Sequence, residues 1–105
     1  MKLNQIIEYI ESPDKALDIG LLEELVDWTT HWIYTLELEI ADLDFTLDLK
    51  LADLVEKHGT VAKANVLLRL EDLYRERKKK ELTLKSLKSY RQNIRKKRDR
   101  MANFR

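Results

Sequence analysis

The sequence predicts an all-α protein built on a long antiparallel, coiled-coil-like helical hairpin with a short N-terminal helix. Gly occurs twice and Pro once in 105 residues, too few turn formers for a sheet protein, which needs a turn about every 8–12 residues. Charged residues make up 37% of the chain, and its many Leu, Glu, Lys and Arg residues are typical of long helices. At this length we expect one helical domain, residues 1–105.

Residues 1–20 predict a short N-terminal helical segment. An amphipathic stretch is followed by Ser12 and Pro13, which suit the N-cap and the first position of a second short helix. Gly20 is expected to weaken or end that helix. Asp18 is then expected to cap the next one.

Residues 21–57 predict an acidic long helix, because neither Gly nor Pro interrupts them. Apolar and small residues recur there in steps of three and four, the heptad spacing of supercoiled helices. This seam consists of Val26, Thr29, Ile33, Leu36, Ile40, Leu43 and Leu47. Leu38, Phe45 and Leu49 lie off the seam, so we expect this helix to have more than one neighbour.

Residues 61–103 predict a basic long helix that follows a tight turn. Gly59 suits the left-handed position that ends a helix, and Thr60 suits the N-cap of the next. So short a connection makes the two long helices antiparallel neighbours. The expected seam of the second helix is Val66, Leu70, Leu73, Arg77, Lys80, Leu84, Leu87, Tyr90 and Ile94.

Charge divides sharply between the two halves of the chain. Residues 1–56 hold 3 basic and 14 acidic residues, which gives a net charge of −11. Residues 57–105 hold 17 basic and 5 acidic residues, which gives a net charge of +12. With a turn at Gly59, facing residues have numbers that sum to about 118, so opposite charges are expected to face each other along the whole hairpin. Such asymmetry indicates either pairing inside the hairpin or binding of a polyanion.

A single hairpin buries only one stripe of each helix, so we expect a homo-oligomer. A dimer that forms a four-helix bundle is the smallest case. The expected interface consists of Trp28, Trp32, Leu38, Phe45 and Leu49. Together with Tyr34, the two tryptophans could instead stack nucleic-acid bases, but their acidic surroundings repel phosphates and favour the core or the interface.

The basic runs of the C-terminal helix predict a nucleic-acid-binding surface. Successive helical residues turn by about 100°, so these cations cannot all face one partner helix. An exposed positive stripe would contact the phosphates of single-stranded nucleic acid. The predicted contact residues are Lys78, Lys85, Lys88, Arg91, Arg95, Lys96, Lys97, Arg98 and Arg100. The alternative is a helical protein–protein adaptor or inhibitor, in which the charges only pair the hairpin and select partners.

No motif predicts catalysis, a cofactor or a metal site. His31 and His58 are the only imidazoles, and neither has a metal-binding spacing; Cys is absent. The carboxylates from Glu37 to Asp48 are best explained as a paired or solvated face, because no ExxH motif accompanies them. Apolar runs stay below the ~18 residues of a membrane span. We therefore expect a cytoplasmic, non-enzymatic protein that has no membrane as a partner.

The second half of the chain also carries a family resemblance. Its features are a T-x-x-K-A helix start at Thr60, Lys63 and Ala64, a tyrosine at Tyr74, a charged repeat, and a short apolar-then-Arg ending over residues 101–105. This segment resembles small helical proteins of phage and prophage replication–recombination modules, and is similar to phage recombination mediators. The resemblance implies an oligomer that binds single-stranded DNA and assists a recombinase or a single-strand-binding protein in the cytoplasm.

Overall fold

The computed structural model describes residues 1–103, and within that range it consists of helices joined by short connections, without strands. The helices are α1 (Leu3–Glu11), α2 (Ile19–His58), α3 (Val61–Leu68) and α4 (Asp72–Asn103). The all-α prediction is confirmed, and α2 and α4 are the two long helices that pack against each other.

The chain forms two compact units, to which both long helices contribute. Unit 1 combines Met1–Thr35 with α4 from Leu84 onwards, and unit 2 is Leu36–Thr83. Each unit buries its own apolar cluster. In unit 1 the cluster is Ile6, Leu22, Leu25, Val26, Leu87 and Ile94, and in unit 2 it is Leu36, Ile40, Leu47, Ala64 and Leu68.

The connection between α1 and α2 differs from the prediction. Instead of a second short helix starting at Ser12 and Pro13, residues 12–18 form a turn followed by irregular backbone, and the N–H of Lys15 donates to the carbonyl of Ser12 at 3.1 Å. The six residues before Asp18 are too few to repay helix nucleation. Asp18 caps α2 as predicted, so the acidic helix begins at Ile19 rather than at residue 21.

Replacing Asp18 with alanine is expected to destabilise the protein by about 1 kcal/mol. The Asp18 Oδ1 accepts a hydrogen bond from the N–H of Leu21 at 2.7 Å, and loss of such a cap typically costs about that much. The free energy of unfolding, measured by urea denaturation, checks this. Asp14→Ala is the matched control, because Asp14 is an exposed turn residue; an equal loss in both variants would contradict the capping role.

The turn between α2 and α3 follows the prediction. Gly59 has φ +78°, the left-handed region that favours glycine, and its N–H donates to the carbonyl of Val55 at 2.8 Å. Thr60 then caps α3, because its Oγ1 accepts a hydrogen bond from the N–H of Lys63 at 3.3 Å.

The prediction of one uninterrupted helix over residues 61–103 is wrong. The N–H groups of Leu70 and Glu71 donate to carbonyls three residues back, at 3.1 and 3.0 Å, which tightens and ends α3. The carbonyl of Glu71 then accepts from the N–H of Tyr74 at 3.1 Å and starts α4. Since neither Gly nor Pro lies at this break, the sequence pattern did not reveal it.

The break also changes which residues of α3 are buried. Ala64 and Leu68 are 0% and 8% exposed, whereas the predicted seam residues Val66 and Leu70 are 61% and 66% exposed. The predicted heptad pattern ran through residues 69–71, which are not helical. It therefore placed the seam on the wrong side of α3. On α4 the half-buried or buried positions do recur in steps of four and three. This series is Leu73, Arg77, Lys80, Leu84, Leu87, Arg91, Ile94 and Arg98, and it is flanked by the half-buried Tyr74, Thr83 and Tyr90.

Ion pairs between α2 and α4 set their alignment in unit 2. Arg77 pairs with Asp44, and the Nζ of Lys80 lies 2.7 Å from the Oε2 of Glu39. Because one residue number rises as the other falls, the helices are antiparallel, in the register predicted from Gly59. The hydrogen bond with Asp44 raises the pKa of Arg77, so this cation keeps its charge at a seam position.

In unit 1 the predicted facing of opposite charges is wrong. Glu23, Glu24 and Asp27 are exposed, and within residues 1–103 no ion pair joins them to the basic segment 91–98. The reason is the orientation of α2, which turns the apolar side chains of its seam inward there and leaves the acids outside. The cations of this part of α4 are therefore not neutralised by α2.

Candidate nucleic-acid interface

A groove of about 700 Å³ lies in unit 1, between α4 and the segment that contains the end of α1 and the turn after it. The N-terminal side is lined by Tyr9, Ile10, Ser12, Pro13, Lys15 and Leu17. The α4 side is lined by Lys85, Ser86, Ser89, Tyr90, Asn93, Ile94, Lys96, Lys97 and Arg100. The irregular backbone of residues 12–18 thus forms one wall of the groove.

The groove is strongly basic although the chain as a whole carries a net charge of only +1. Its cations are Lys15, Lys85, Lys96, Lys97 and Arg100, and none of the lining residues within 1–103 carries a carboxylate. The cations on α4 span 15 residue steps, or about 22 Å of helix. Concentrating charge of one sign in a concave site focuses the field and attracts an oppositely charged ligand.

The cations that α4 contributes to the groove are not held in ion pairs by acids among the described residues. Asp99, the acid nearest in sequence on α4, lies 3.3 Å from the Nη2 of Arg98 and is not part of the groove. The α4 cations of the groove form no ion pair with an acid of residues 1–103. This differs from unit 2, where Arg77 and Lys80 are paired with α2.

Two tyrosines give the groove aromatic and neutral polar surface. The Nζ of Lys15 lies 4.8 Å from the centre of the Tyr9 ring, in cation–π contact. Burial raises the pKa of Tyr90, and the neighbouring Tyr9 raises it further, so Tyr90 is a neutral phenol at physiological pH. Ser89 and Asn93, which also line the groove, add a hydroxyl and an amide group. The groove therefore combines cations, hydrogen-bond donors and flat apolar surface.

Of the nine predicted contact residues, Lys85, Lys96, Lys97 and Arg100 line the groove. Two others are held by neighbouring acids. The Nζ of Lys78, in unit 2, lies 3.8 Å from Glu81, and Arg98 pairs with Asp99.

The other three predicted contact residues also lie outside the groove lining. Lys88 and Arg95 are exposed, and Lys88 already has an interaction partner. Arg91 occupies a seam position of α4, where its Nε is buried without a hydrogen-bond partner. A place in or near a basic run of the sequence therefore does not by itself bring a cation into the groove.

The sequence pattern did not predict Lys15, Tyr9 or Tyr90 as site residues. Lys15 is one of the three basic residues in the acidic half, and its isolation there is the one sequence signal that could have marked it. Tyr90 was expected only as part of the helix seam. The proximity of these residues depends on packing between segments about 75 residues apart.

The predicted oligomer residues fall into two groups. Trp28 and Trp32 are half-buried in unit 1. The ring of His31 contacts both indole rings edge-on, with 5.6 and 5.3 Å between the ring centres. The Nε1–H of Trp32 donates to the carbonyl of Met1 at 3.0 Å. The second group, in unit 2, is exposed: Leu38 by 51%, Phe45 by 68% and Leu49 by 59%. Oligomer formation stays a prediction.

Within residues 1–103, no three His, Cys, Asp or Glu side chains come together in a way that could hold a metal ion. No helix of that range is both long enough and apolar enough to cross a bilayer.

Comparison with protein-family models, curated proteins and solved structures finds no match to this chain. The resemblance to phage recombination mediators therefore stays a prediction.

Proposed function

We propose that this protein binds single-stranded nucleic acid in the basic groove of unit 1. The observation that carries the proposal is a groove whose described lining residues include five cations and no carboxylate. Lys and Arg side chains bind nucleic-acid phosphates and release their counterions, without reading the base sequence. The protein needs no catalytic group for this role.

The two tyrosines favour a single strand over a duplex. Base stacking on an aromatic side chain requires a base that is not already stacked in a helix. Tyr9 and Tyr90 lie in the groove beside the cations, so a strand whose phosphates contact Lys96 and Lys97 can place a base near an aromatic ring. Because every base has an aromatic face, we expect little sequence preference.

The exposed acids of α2 support confinement of the strand to the groove. Glu23, Glu24 and Asp27 are solvent-exposed in the same unit, and carboxylates repel phosphates. A protein with a net charge of +1 is a poor general polyanion binder, so any affinity should depend on the local groove.

The wild-type protein is expected to bind a fluorescein-labelled 15-nucleotide oligo(dT) at 50 mM salt, with a steep loss of affinity as salt rises. Five phosphate contacts correspond to a slope of log K against log salt of about −3.5, since each contributes about −0.7 on a single strand. Fluorescence anisotropy at several salt concentrations measures this slope.

A duplex of the same length is the comparison ligand. We expect it to bind more weakly, because its bases are stacked and paired. Absence of binding to oligo(dT) at 50 mM salt would overturn the proposal. Equal affinity for the duplex would overturn its single-strand part.

A protein–protein adaptor is the second candidate function, favoured by the exposed apolar side chains of Leu38, Phe45 and Leu49 in unit 2. In that unit the seam cations are paired with acids, as expected if charge there serves helix pairing. Assistance to a recombinase or a single-strand-binding protein depends on the family resemblance alone.

A further inference from the structure

The outer face of α2 in unit 2 carries an exposed apolar ridge edged by acids. Leu38, Phe45 and Leu49 are spaced by seven and four residues, so they lie on one side of the helix. Asp42 and Asp48 are exposed and, at three residues on either side of Phe45, lie about 60° to each side of it. These five residues are here called the acidic stripe.

The outer face of α3 and of the turn after it carries the opposite arrangement. Ala62, Val66 and Leu70 are exposed and spaced by four residues, with Val66 61% and Leu70 66% exposed. Lys63 and Arg69, also exposed, lie three residues to either side of Val66. These five residues are here called the basic patch.

The two surfaces are complementary in apolar character and in charge. The acidic stripe spans 11 residue steps of α2, about 16 Å, and the basic patch spans 8 residue steps, of which the last two lie in the turn after α3. No basic residue occurs between Leu36 and Leu49, and no acidic residue between Val61 and Leu70. Each surface therefore presents an apolar ridge with charges of one sign on both flanks.

We propose that two copies of this chain form a dimer in which the acidic stripe of each copy packs against the basic patch of the other. A twofold dimer makes this contact twice, since each copy offers both surfaces. Pairing of two acidic stripes would instead place aspartates against aspartates, and such a contact between like charges is strongly unfavourable. Opposite charge thus selects a partner's α3, rather than its α2, as the occupant of the stripe.

This arrangement sharpens the oligomer predicted from the sequence. It retains Leu38, Phe45 and Leu49 as interface residues, and it does not use Trp28 and Trp32, which are half-buried in unit 1. The proposed dimer also makes interface residues of Val66 and Leu70, whose exposure follows from the break between α3 and α4.

Sedimentation velocity tests the dimer. We expect a wild-type mass of about 25 kDa, twice the 12.5 kDa chain mass, and a mass of one chain for Phe45→Glu at the same concentration. Leu82→Glu is the matched control, because Leu82 is a 65% exposed leucine of unit 2 outside both surfaces, and it should leave the dimer intact. A wild-type monomer at 100 µM, or an open series of larger species, would overturn the proposal.

Charge exchange separates this contact from any other use of the apolar ridge. Asp42→Lys with Asp48→Lys should weaken dimerisation at least about tenfold, and so should Lys63→Glu with Arg69→Glu. All four substitutions in one chain should restore the dimer, because the interface then has the same complementarity with its signs reversed. Failure of the combined variant to dimerise, with normal helical circular dichroism, would refute the pairing. Since none of these residues lines the groove, the result is independent of the proposed nucleic-acid binding.

Discussion

Replacing Lys96 and Lys97 together with glutamate is expected to weaken oligo(dT) binding roughly 100-fold at 50 mM salt. A charged hydrogen bond contributes about 1.5 kcal/mol at the low end, so losing two amounts to about 3 kcal/mol, and each 1.4 kcal/mol is a factor of ten. The slope of log K against log salt should also become less steep, by about 1.4 for the two lost contacts. Fluorescence anisotropy measures both quantities. Both side chains are exposed, so the helices should stay folded.

Two controls show whether the groove or the bulk charge is responsible. Arg75→Glu with Lys79→Glu changes the net charge equally on the same helix, at exposed positions outside the groove, and should change affinity only slightly. Arg95→Glu is the second control, because Arg95 is an exposed residue next to Lys96 that does not line the groove. Comparable losses in the controls and in the groove variant would show that net charge, and not the groove, drives binding.

Replacing Leu87 with alanine is expected to destabilise the protein by about 2–5 kcal/mol. Leu87 is 0% exposed, and truncating a buried leucine loses its transfer free energy and leaves a cavity that closes only partly. The free energy of unfolding from urea denaturation, followed by circular dichroism, measures the loss. Because Leu87 follows Ser86 on the helix that forms one wall of the groove, the variant should also bind oligo(dT) less well near its unfolding midpoint.

Leu82→Ala is the control for this prediction. It makes the same substitution in the same helix, so the change in helix propensity is equal, but Leu82 is 65% exposed. The expected change is within about 0.5 kcal/mol. Similar losses in the two variants would mean that Leu87 is not a core residue.

Local sequence signals predicted those elements whose causes are local. Asp18 and Thr60 cap helices because their side-chain oxygens reach N–H groups three residues ahead, and Gly59 ends α2 because it adopts a positive φ without strain. The seam of α2 was predictable for the same reason, since helical periodicity places Leu36, Ile40 and other residues of one face together.

The break between α3 and α4 and the turn after α1 could not be predicted in this way. Residues 69–71 contain neither Gly nor Pro, and the ion pair of Glu71 with Lys50 at 3.2 Å joins residues 21 positions apart. A helical pattern that continues through such a segment cannot show whether tertiary contacts stabilise a tighter turn there.

By itself, the sequence determined the helical class, the N-caps of α2 and α3, the antiparallel register of α2 and α4 in unit 2, and the opposite charge of the two halves, because each depends on periodicity or on near neighbours. Only the tertiary structure decided which cations remain available. It paired Arg77 and Lys80 with acids of α2, while it gathered Lys15, Lys96, Lys97 and others into a groove whose described lining residues include no carboxylate. The physical reason is that the electrostatic energy of a charge depends on its distance to other charges in space, and separation along the chain does not fix that distance.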